Sequence, residues 1–105
     1  MPTAIEVNDQ ANGTTVVLTV GQSLVVRLPE NPTTGYRWSV ESLGGMLLEG
    51  DEFLPAGAGA GAGGTRHLRL RAHKPDRTQI SLSLRRSWEA PSASIGRFTL
   101  SVITS

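Results

Sequence analysis

The sequence predicts an all-β fold in which two sheets of short antiparallel strands pack face to face without a disulfide bond. Apolar residues recur at every second position in several segments, turn residues separate these segments, and no segment shows the helical repeat of about 3.6 residues. The chain has 105 residues and no cysteine. This length predicts a single domain, residues 1–105, which can bury a core without cross-links.

The alternation is clear in residues 79–84, where isoleucine and leucine at even positions alternate with glutamine and serine at odd positions. An antiparallel sheet with one buried face produces this pattern. The predicted strands cover residues 15–20, 23–29, 36–41, 46–54, 65–73, 78–86 and 96–103, and a short strand near residues 4–7 precedes them. Seven or eight such strands predict an immunoglobulin-like antiparallel β-sandwich. Trp38 is predicted to lie in its core, because immunoglobulin-type sandwiches bury a tryptophan in the corresponding strand.

Strand direction places the most unusual connections at one end of this sandwich. If successive strands run antiparallel, the connections 31–35, 55–64 and 87–96 share one end and the short, ordinary turns share the other. We name the first three the proline loop (31–35), the glycine-alanine loop (55–64) and the tryptophan loop (87–96), and we name their end the tip. Loops clustered at one end of a sandwich are typical of binding surfaces.

Composition argues against several classes of function. A net charge of +1 does not suggest a partner nucleic acid, and no apolar run approaches the length of a membrane-spanning helix. The lack of cysteine excludes a thiol nucleophile and thiolate metal sites. His67 and His73 lie six residues apart on one predicted strand, roughly 20 Å, and cannot share a metal ion. Because no hydrolase nucleophile motif is present either, the sequence predicts neither an enzyme nor a cofactor.

Charge is distributed unevenly along the chain. Residues 1–55 contain two Lys/Arg and seven Asp/Glu, whereas residues 56–105 contain eight Lys/Arg and two Asp/Glu. Such blocks usually form solvated faces. The pattern therefore predicts a sheet in which strands of opposite charge pair with each other.

Each tip loop has two interpretations from its local chemistry. In the proline loop, Pro32 restricts Asn31 to extended geometry and Gly35 permits a positive φ, which fits a rigid polar loop or an ordinary structural turn. The glycine-alanine loop is either a mobile connection or a contact loop that lets backbone approach a partner closely. At the third loop, Arg86 and Trp88 have the composition of a binding hot spot, unless Trp88 caps the core.

Together the three loops resemble those of the chagasin family, protein inhibitors of papain-like cysteine peptidases. That family has an N-P-T-T-G-[YF] loop, a G-x-G-G turn and an R-P-W segment, in this order and in this strand context. The matching residues are Asn31, Pro32, Thr33, Thr34, Gly35 and Tyr36, then Gly61, Ala62, Gly63 and Gly64, then Arg86, Ser87 and Trp88. The resemblance spans essentially the whole chain. It departs from the pattern at Ser87, where proline is usual.

The resemblance implies a reversible, non-covalent inhibitor whose three loops enter the peptidase cleft as a wedge. Thr33 and Thr34 would lie over the catalytic cysteine and histidine of the peptidase. Residues 61–64 would follow one wall of the cleft, and Arg86 and Trp88 would pack on the other. The alternative is a non-inhibitory immunoglobulin-like adhesion or interaction module, since the fold alone supports many functions.

The resemblance also predicts the partners. We expect papain-like cysteine peptidases, of the papain or cathepsin L type, and neither nucleic acid nor membrane. We expect a monomer, because the inhibitory tip has to be free. The N-terminal residues show no basic or apolar region of a signal peptide, which fits a cytoplasmic protein or the mature form of an exported one.

Overall fold

The computed structural model describes residues 4–56 and 63–105. Within them the strands are β1 (Ile5–Asn8), β2 (Thr15–Leu18), β3 (Ser23–Glu30), β4 (Tyr36–Ser42), β5 (Leu47–Pro55), β6 (Gly64–Arg71), β7 (Asp76–Arg86) and β8 (Gly96–Thr104). Single 3-10 turns cover Asp9–Ala11, Pro32–Thr34 and Pro91–Ala93. The strands form a first sheet with the order β1-β3-β6-β5 and a second sheet with the order β2-β8-β7-β4.

These sheets form the predicted immunoglobulin-like β-sandwich, with one difference in strand direction. β1 runs parallel to β3, and β2 runs parallel to β8, whereas the remaining pairs within the described residues are antiparallel. Successive strands still alternate in direction along the chain. The edge strands β1 and β2 are parallel to their neighbours because an even number of reversals separates the partners.

The core lies between the sheets and consists of the alternate apolar residues that the sequence pattern indicates. Its fully buried side chains include Leu18, Leu24, Val26, Leu28, Leu68, Leu70, Ile80, Leu82, Phe98, Leu100 and Val102. Trp38, predicted to be a core residue, is half-buried and packs against the edge of this cluster. The core therefore holds the strand ends that carry the tip loops.

The alternation of strand direction also explains which connections reach the tip. The connections after β3, β5 and β7 emerge there, as predicted, and so does the connection after β1. This last connection lies against the side of β8 and is bound to it by two hydrogen bonds. The Gly13 amide donates to the Thr99 carbonyl at 2.8 Å, and the Thr99 amide donates to Asn12 Oδ1 at 2.9 Å. It therefore flanks the sandwich beside the three named loops.

Opposite charges pair across the first sheet, as the uneven charge distribution predicts. β5 carries Glu49, Asp51 and Glu52, and its neighbour β6 carries Arg66, Arg69 and Arg71. Arg71 Nε lies 2.9 Å from Glu49 Oε2, and Arg66 Nη1 lies 3.0 Å from Asp51 Oδ1. These ion pairs connect the edge strand to the body of the sheet.

On the second sheet, an irregularity in β4 places a carboxylate against β7. The pairing of β4 with β7 shifts between Val40 and Ser42, so Glu41 is an extra residue in the strand. Its Oε1 accepts hydrogen bonds from Ser83 Oγ at 2.5 Å and from Arg85 Nε at 3.4 Å. The Ser83 hydrogen bond has the largest effect and lowers the pKa of Glu41 below its ordinary value. Desolvation by burial comes next and raises this pKa, whereas Arg85 and Arg97 lower it.

This lowered pKa predicts an acid-dependent contribution of Glu41 to stability. Because the folded-state pKa lies below the unfolded value, the contribution is present above about pH 4.5 and is lost as the pH falls through the folded-state pKa. We expect the free energy of unfolding of Glu41→Gln to lie below that of the parent at pH 7 and to approach it as the pH falls below the folded-state pKa. Urea titrations over a series of acidic pH values measure this difference, and a difference that does not change with pH would contradict the assignment.

Candidate functional site

The proline loop is a single 3-10 turn closed by its own hydrogen bonds. Asn31 Oδ1 accepts from the Thr33 amide at 3.1 Å and from Thr33 Oγ1 at 2.6 Å. Thr34 Oγ1 donates to the Asn31 carbonyl at 2.8 Å, and the Gly35 amide donates to the Pro32 carbonyl at 3.1 Å. Gly35 ends the turn with φ of 80°, a left-handed conformation that glycine adopts without strain. The loop therefore has the rigid form that its composition allowed.

A buried ionic cluster lies directly beneath this loop. Glu30, the residue before Asn31, has a fully buried side chain whose Oε2 lies 2.7 Å from Arg66 Nη2 and 3.1 Å from Arg66 Nε. Arg66 extends the cluster to Asp51 on the edge strand, and its guanidinium lies 5.8 Å from the centre of the Phe53 ring. Burial acts to lower the pKa of Arg66, but the hydrogen bonds and charges of Glu30 and Asp51 outweigh it and raise the pKa.

The same carboxylate joins the two sheets at the base of the tip. Glu30 belongs to β3 of the first sheet, and its Oε1 accepts a 2.7 Å hydrogen bond from the amide of Trp38 in β4 of the second. The Trp38 indole donates to the Pro29 carbonyl at 2.9 Å. Both ends of the proline loop are thus tied to each other, since Pro29 and Glu30 precede it and Trp38 follows it.

Two adjacent glycines bring the glycine-alanine loop back into β6 beside this cluster. Gly63 has φ of 72°. A Cβ atom on Gly64 would lie 2.6 Å from Cζ of Phe53 and would clash with the Leu54 carbonyl oxygen. No side chain fits at position 64 without displacing β5. Of the predicted site residues in this loop, Gly61 and Ala62 lie outside the described residues.

The tryptophan loop begins with a turn that Glu89 closes. The Arg86 amide donates to Glu89 Oε1 at 3.2 Å, the Glu89 amide donates to the Arg86 carbonyl at 3.0 Å, and Arg85 Nη1 donates to the Glu89 carbonyl at 2.7 Å. These bonds hold the turn around Ser87, where the family pattern has proline. The side chain of Trp88 is 75% exposed, so it does not cap the core.

Close distances show that these segments form one surface. The Arg86 guanidinium lies 4.5 Å from the centre of the Tyr36 ring, a cation–π geometry. A Cβ atom on Gly35 would lie 3.7 Å from both Arg86 Nε and Trp88 Cη2. On the other side, a Cβ atom on Gly63 would lie 3.7 Å from the Asn31 side chain. The proline loop thus lies between the tryptophan loop and Gly63, at the end of the glycine-alanine loop.

The tip combines rigid polar backbone with exposed apolar side chains. Besides Trp88, Ile95 is 62% exposed and Leu54 is exposed on the β5 side. An open recess of about 550 Å³ lies between the loops, lined in part by Asn31, Tyr36, Gly64, Leu84 and Ile95. Exposed aromatic and aliphatic residues beside fixed polar groups are typical of protein-binding surfaces.

Two features are absent from residues 4–56 and 63–105. No group of three or more His, Asp or Glu side chains in them is arranged to hold a metal ion. Among the same residues, no helix has the length and apolar character to span a bilayer. The geometry of the tip suits recognition of another protein.

The model of the chagasin family of peptidase inhibitors, I42, matches residues 17–102. The chain belongs to the chagasin family. This family consists of peptidase inhibitors rather than enzymes, in agreement with the prediction that the chain has no catalytic activity.

Individual relatives support this membership. Chagasin from Trypanosoma cruzi is 34% identical over 98 residues, which cover 85% of this chain and 87% of chagasin. Amoebiasin-1 from Entamoeba histolytica is 32% identical over 102 residues, which cover 93% of this chain and 97% of the relative. The crystal structure of the cysteine protease inhibitor EhICP2 from Entamoeba histolytica superposes with a TM-score of 0.82 at 22% identity, covering 98% of this chain and 96% of that one. This last similarity supports the fold.

The chagasin-family motifs do not include the ionic cluster that holds them, and the sequence analysis missed it. The alternation of inward and outward residues in β3 and β6 does indicate this cluster. In β3, Leu24, Val26 and Leu28 face the core, and Glu30 occupies the next inward position. In β6, Arg66 likewise shares the inward face of Leu68 and Leu70. Two opposite charges at inward positions near the same end of paired strands indicate a buried ion pair.

We expect Glu30→Gln to cost about 3 kcal/mol of the free energy of unfolding, because it leaves the buried Arg66 without its main counter-charge. The matched control is Glu49→Gln, which removes the partner of Arg71 from a pair that is 48% and 29% exposed and should cost less than about 1 kcal/mol. Urea unfolding of both variants measures the difference. Equal losses in the two would show that burial adds nothing to the Glu30–Arg66 pair.

Proposed function

We propose that this protein is a reversible, non-covalent inhibitor of papain-like cysteine peptidases and that its tip enters their active-site cleft. The observation that carries the proposal is the position of the proline loop at one end of the sandwich, close to Arg86 and Trp88 on one side and to Gly63 on the other. A chagasin-family chain with this arrangement presents a narrow edge of three loops. Membership of the family and the name of EhICP2 as a cysteine protease inhibitor support the class of target.

In the proposed complex the proline loop is the central contact. Thr33 and Thr34 are exposed on it and lie over the catalytic cysteine and histidine of the peptidase. Its backbone is already committed to a tight turn, because the Asn31 and Pro32 carbonyls accept bonds from within the loop. A turn of this kind fills the cleft without presenting an extended peptide for cleavage. Since it is ordered before binding, little conformational entropy is lost on association.

The two flanking segments contact the walls of the cleft. Residues Gly61, Ala62, Gly63 and Gly64 supply backbone hydrogen-bonding groups to one wall, since glycine and alanine let the main chain approach closely. Arg86, Ser87 and Trp88 pack on the other wall, where Trp88 provides the largest exposed apolar surface of the described tip. Tyr36 orients Arg86 from beneath. A complex of standard size would bury about 1,600 Å² in total, and one inhibitor monomer suffices for it.

The direct test is a titration of papain, and of a cathepsin L-like peptidase, with the purified protein and a small fluorogenic peptide substrate. We expect saturating inhibition in the nanomolar to low micromolar range that reverses on dilution, and an inhibitor that is recovered uncleaved. A lack of inhibition of both peptidases at high micromolar concentration would reject the proposal. The tip would then be the binding surface of an interaction module.

Within this proposal, Trp88→Ala removes the main apolar anchor of the tryptophan loop. We expect a loss of at least about 2 kcal/mol of binding free energy, roughly thirtyfold in the inhibition constant, with no loss of stability because the side chain is exposed. The matched control is Val17→Ala, which truncates an apolar side chain that is 63% exposed near the opposite end of the sandwich. A Trp88→Ala variant that inhibits like the parent would remove Trp88 from the interface.

A further inference from the structure

The outer face of the second sheet carries a group of arginines next to the tip. Arg37 in β4 lies directly opposite Arg85 in β7, and Arg97 in β8 pairs with Ser83, one row further from the tip. Phe98 and Trp38 pack in or against the core, and Leu84 lines the recess between the loops. Because these residues are the sequence neighbours of Arg97, Arg37 and Arg85, the three arginines lie on the opposite, outer face. We call Arg37, Arg85 and Arg97 the arginine face.

This face keeps most of its positive charge. Glu41 is the acidic residue that contacts it, and its carboxylate binds Arg85 and Ser83. The side chains of Arg37 and Arg97 are exposed and make no ion pair within the described parts of the chain. Arg97 acts on Glu41 only through its charge. Nearby, the Glu89 carboxylate accepts from the backbone of Arg86.

The arrangement is unfavourable for the fold itself. Like charges directly opposite each other in an antiparallel pair repel and destabilise the sheet. The first sheet shows the opposite arrangement, since β5 and β6 place acidic residues beside arginines. The repulsion between Arg37 and Arg85 is therefore a local exception, and it lies in the two strands that carry Tyr36 and Arg86 into the tip.

We propose that the arginine face is a second part of the peptidase-binding surface and that it recognises an acidic margin of the cleft, on the side contacted by the tryptophan loop. The proposal rests on the inhibitory function above and adds to it a preference for peptidases of matching charge. Its site is outside the three family motifs, because Arg37 and Arg97 belong to none of them.

Charges at the edge of an interface act mainly on association. Arginines that remain in water when the complex forms contribute little to its final stability, but they attract an oppositely charged partner during approach. Their effect falls with ionic strength, because the Debye length is about 8 Å at 0.15 M salt and about 30 Å at 0.01 M. If the arginine face takes part in binding, its removal lowers the association rate constant in a salt-dependent way. A purely structural role would not produce this change.

The experiment measures association and dissociation rate constants of Arg37→Gln/Arg97→Gln, by progress curves with the peptidase that the parent inhibits most strongly. At about 0.02 M salt we expect the association rate constant to fall at least about threefold, with the dissociation rate constant within about twofold of the parent. At about 0.5 M salt the difference in association should disappear. Removing Arg37 relieves its repulsion with Arg85, and removing Arg97 loses only a charge interaction with Glu41, so the unfolding temperature should stay close to that of the parent.

The control for net charge is Arg77→Gln, with one charge removed where the double variant loses two. Arg77 is an exposed arginine of the same strand β7, eight residues and roughly 26 Å from Arg85, towards the opposite end. It removes one unit of charge far from the tip and should leave the association rate constant within about 1.5-fold of the parent.

The outcomes separate this proposal from the one on which it rests. A parent that inhibits, with an Arg37→Gln/Arg97→Gln variant that associates at the same rate at low salt, overturns the arginine face alone. A decrease for Arg77→Gln that is as large per charge removed as that of the double variant also overturns it, because net charge would then explain the effect. A parent that inhibits no papain-like peptidase rejects the inhibitory function, and the arginine face with it.

Discussion

The tip depends on one buried carboxylate. Glu30 receives hydrogen bonds from the Trp38 amide in the opposite sheet and from Arg66 in its own sheet, and Arg66 connects it to Asp51 on the edge strand. Three strands from two sheets, β3, β4 and β6, therefore meet at the Glu30 side chain, and Arg66 links β5 to them. The proline loop begins at the next residue, and the glycine-alanine loop returns opposite Glu30, since Glu30 pairs with Gly64.

Burying an ion pair at this position costs free energy, because both charges lose their hydration. Every buried polar atom of this cluster has a hydrogen-bond partner. The same holds for every buried side-chain nitrogen and oxygen in the described residues. An apolar side chain at position 30 would leave the buried Arg66 without its counter-charge and could not accept the Trp38 amide. The carboxylate thus fixes the direction in which the chain leaves the first sheet, and with it the position of the proline loop between its neighbours.

Most of the fold could be predicted from the sequence because it depends on local patterns. Alternating residues such as Leu68 and Leu70, and turn residues such as those at 31–35, were sufficient to locate the strands and the tip. The parallel pairs of β1 and β2 were not predicted, because which edge a short strand joins depends on packing between distant segments. For the same reason the connection 9–14 was not placed near the tip.

The parts of the site that belong to the family motifs could be predicted from the sequence. The proline loop, Arg86 and Trp88 form one surface as expected, since a rigid local turn and strand direction determine it. The closure of the third loop by Glu89 could not be predicted, because Ser87 alone indicates a looser turn. The pairing of Glu30 with Arg66, 36 residues apart, was missed although both residues occupy inward positions, because the alternation shows which face a residue lies on and not which distant residue it contacts. The charges of Arg37 and Arg85 came together only when the register of β4 and β7 was known.

The environments of the two tryptophans have a spectroscopic consequence. The chain has two tryptophans, and their side chains differ in exposure to water. The indole of Trp38 is half-buried and hydrogen-bonded to the Pro29 carbonyl, whereas Trp88 is surrounded mostly by water. Fluorescence from Trp38 reports whether the two sheets are joined, and fluorescence from Trp88 reports whether the tip is covered. The protein thus carries separate natural chromophores for folding and for complex formation, and neither process requires an attached label to be followed.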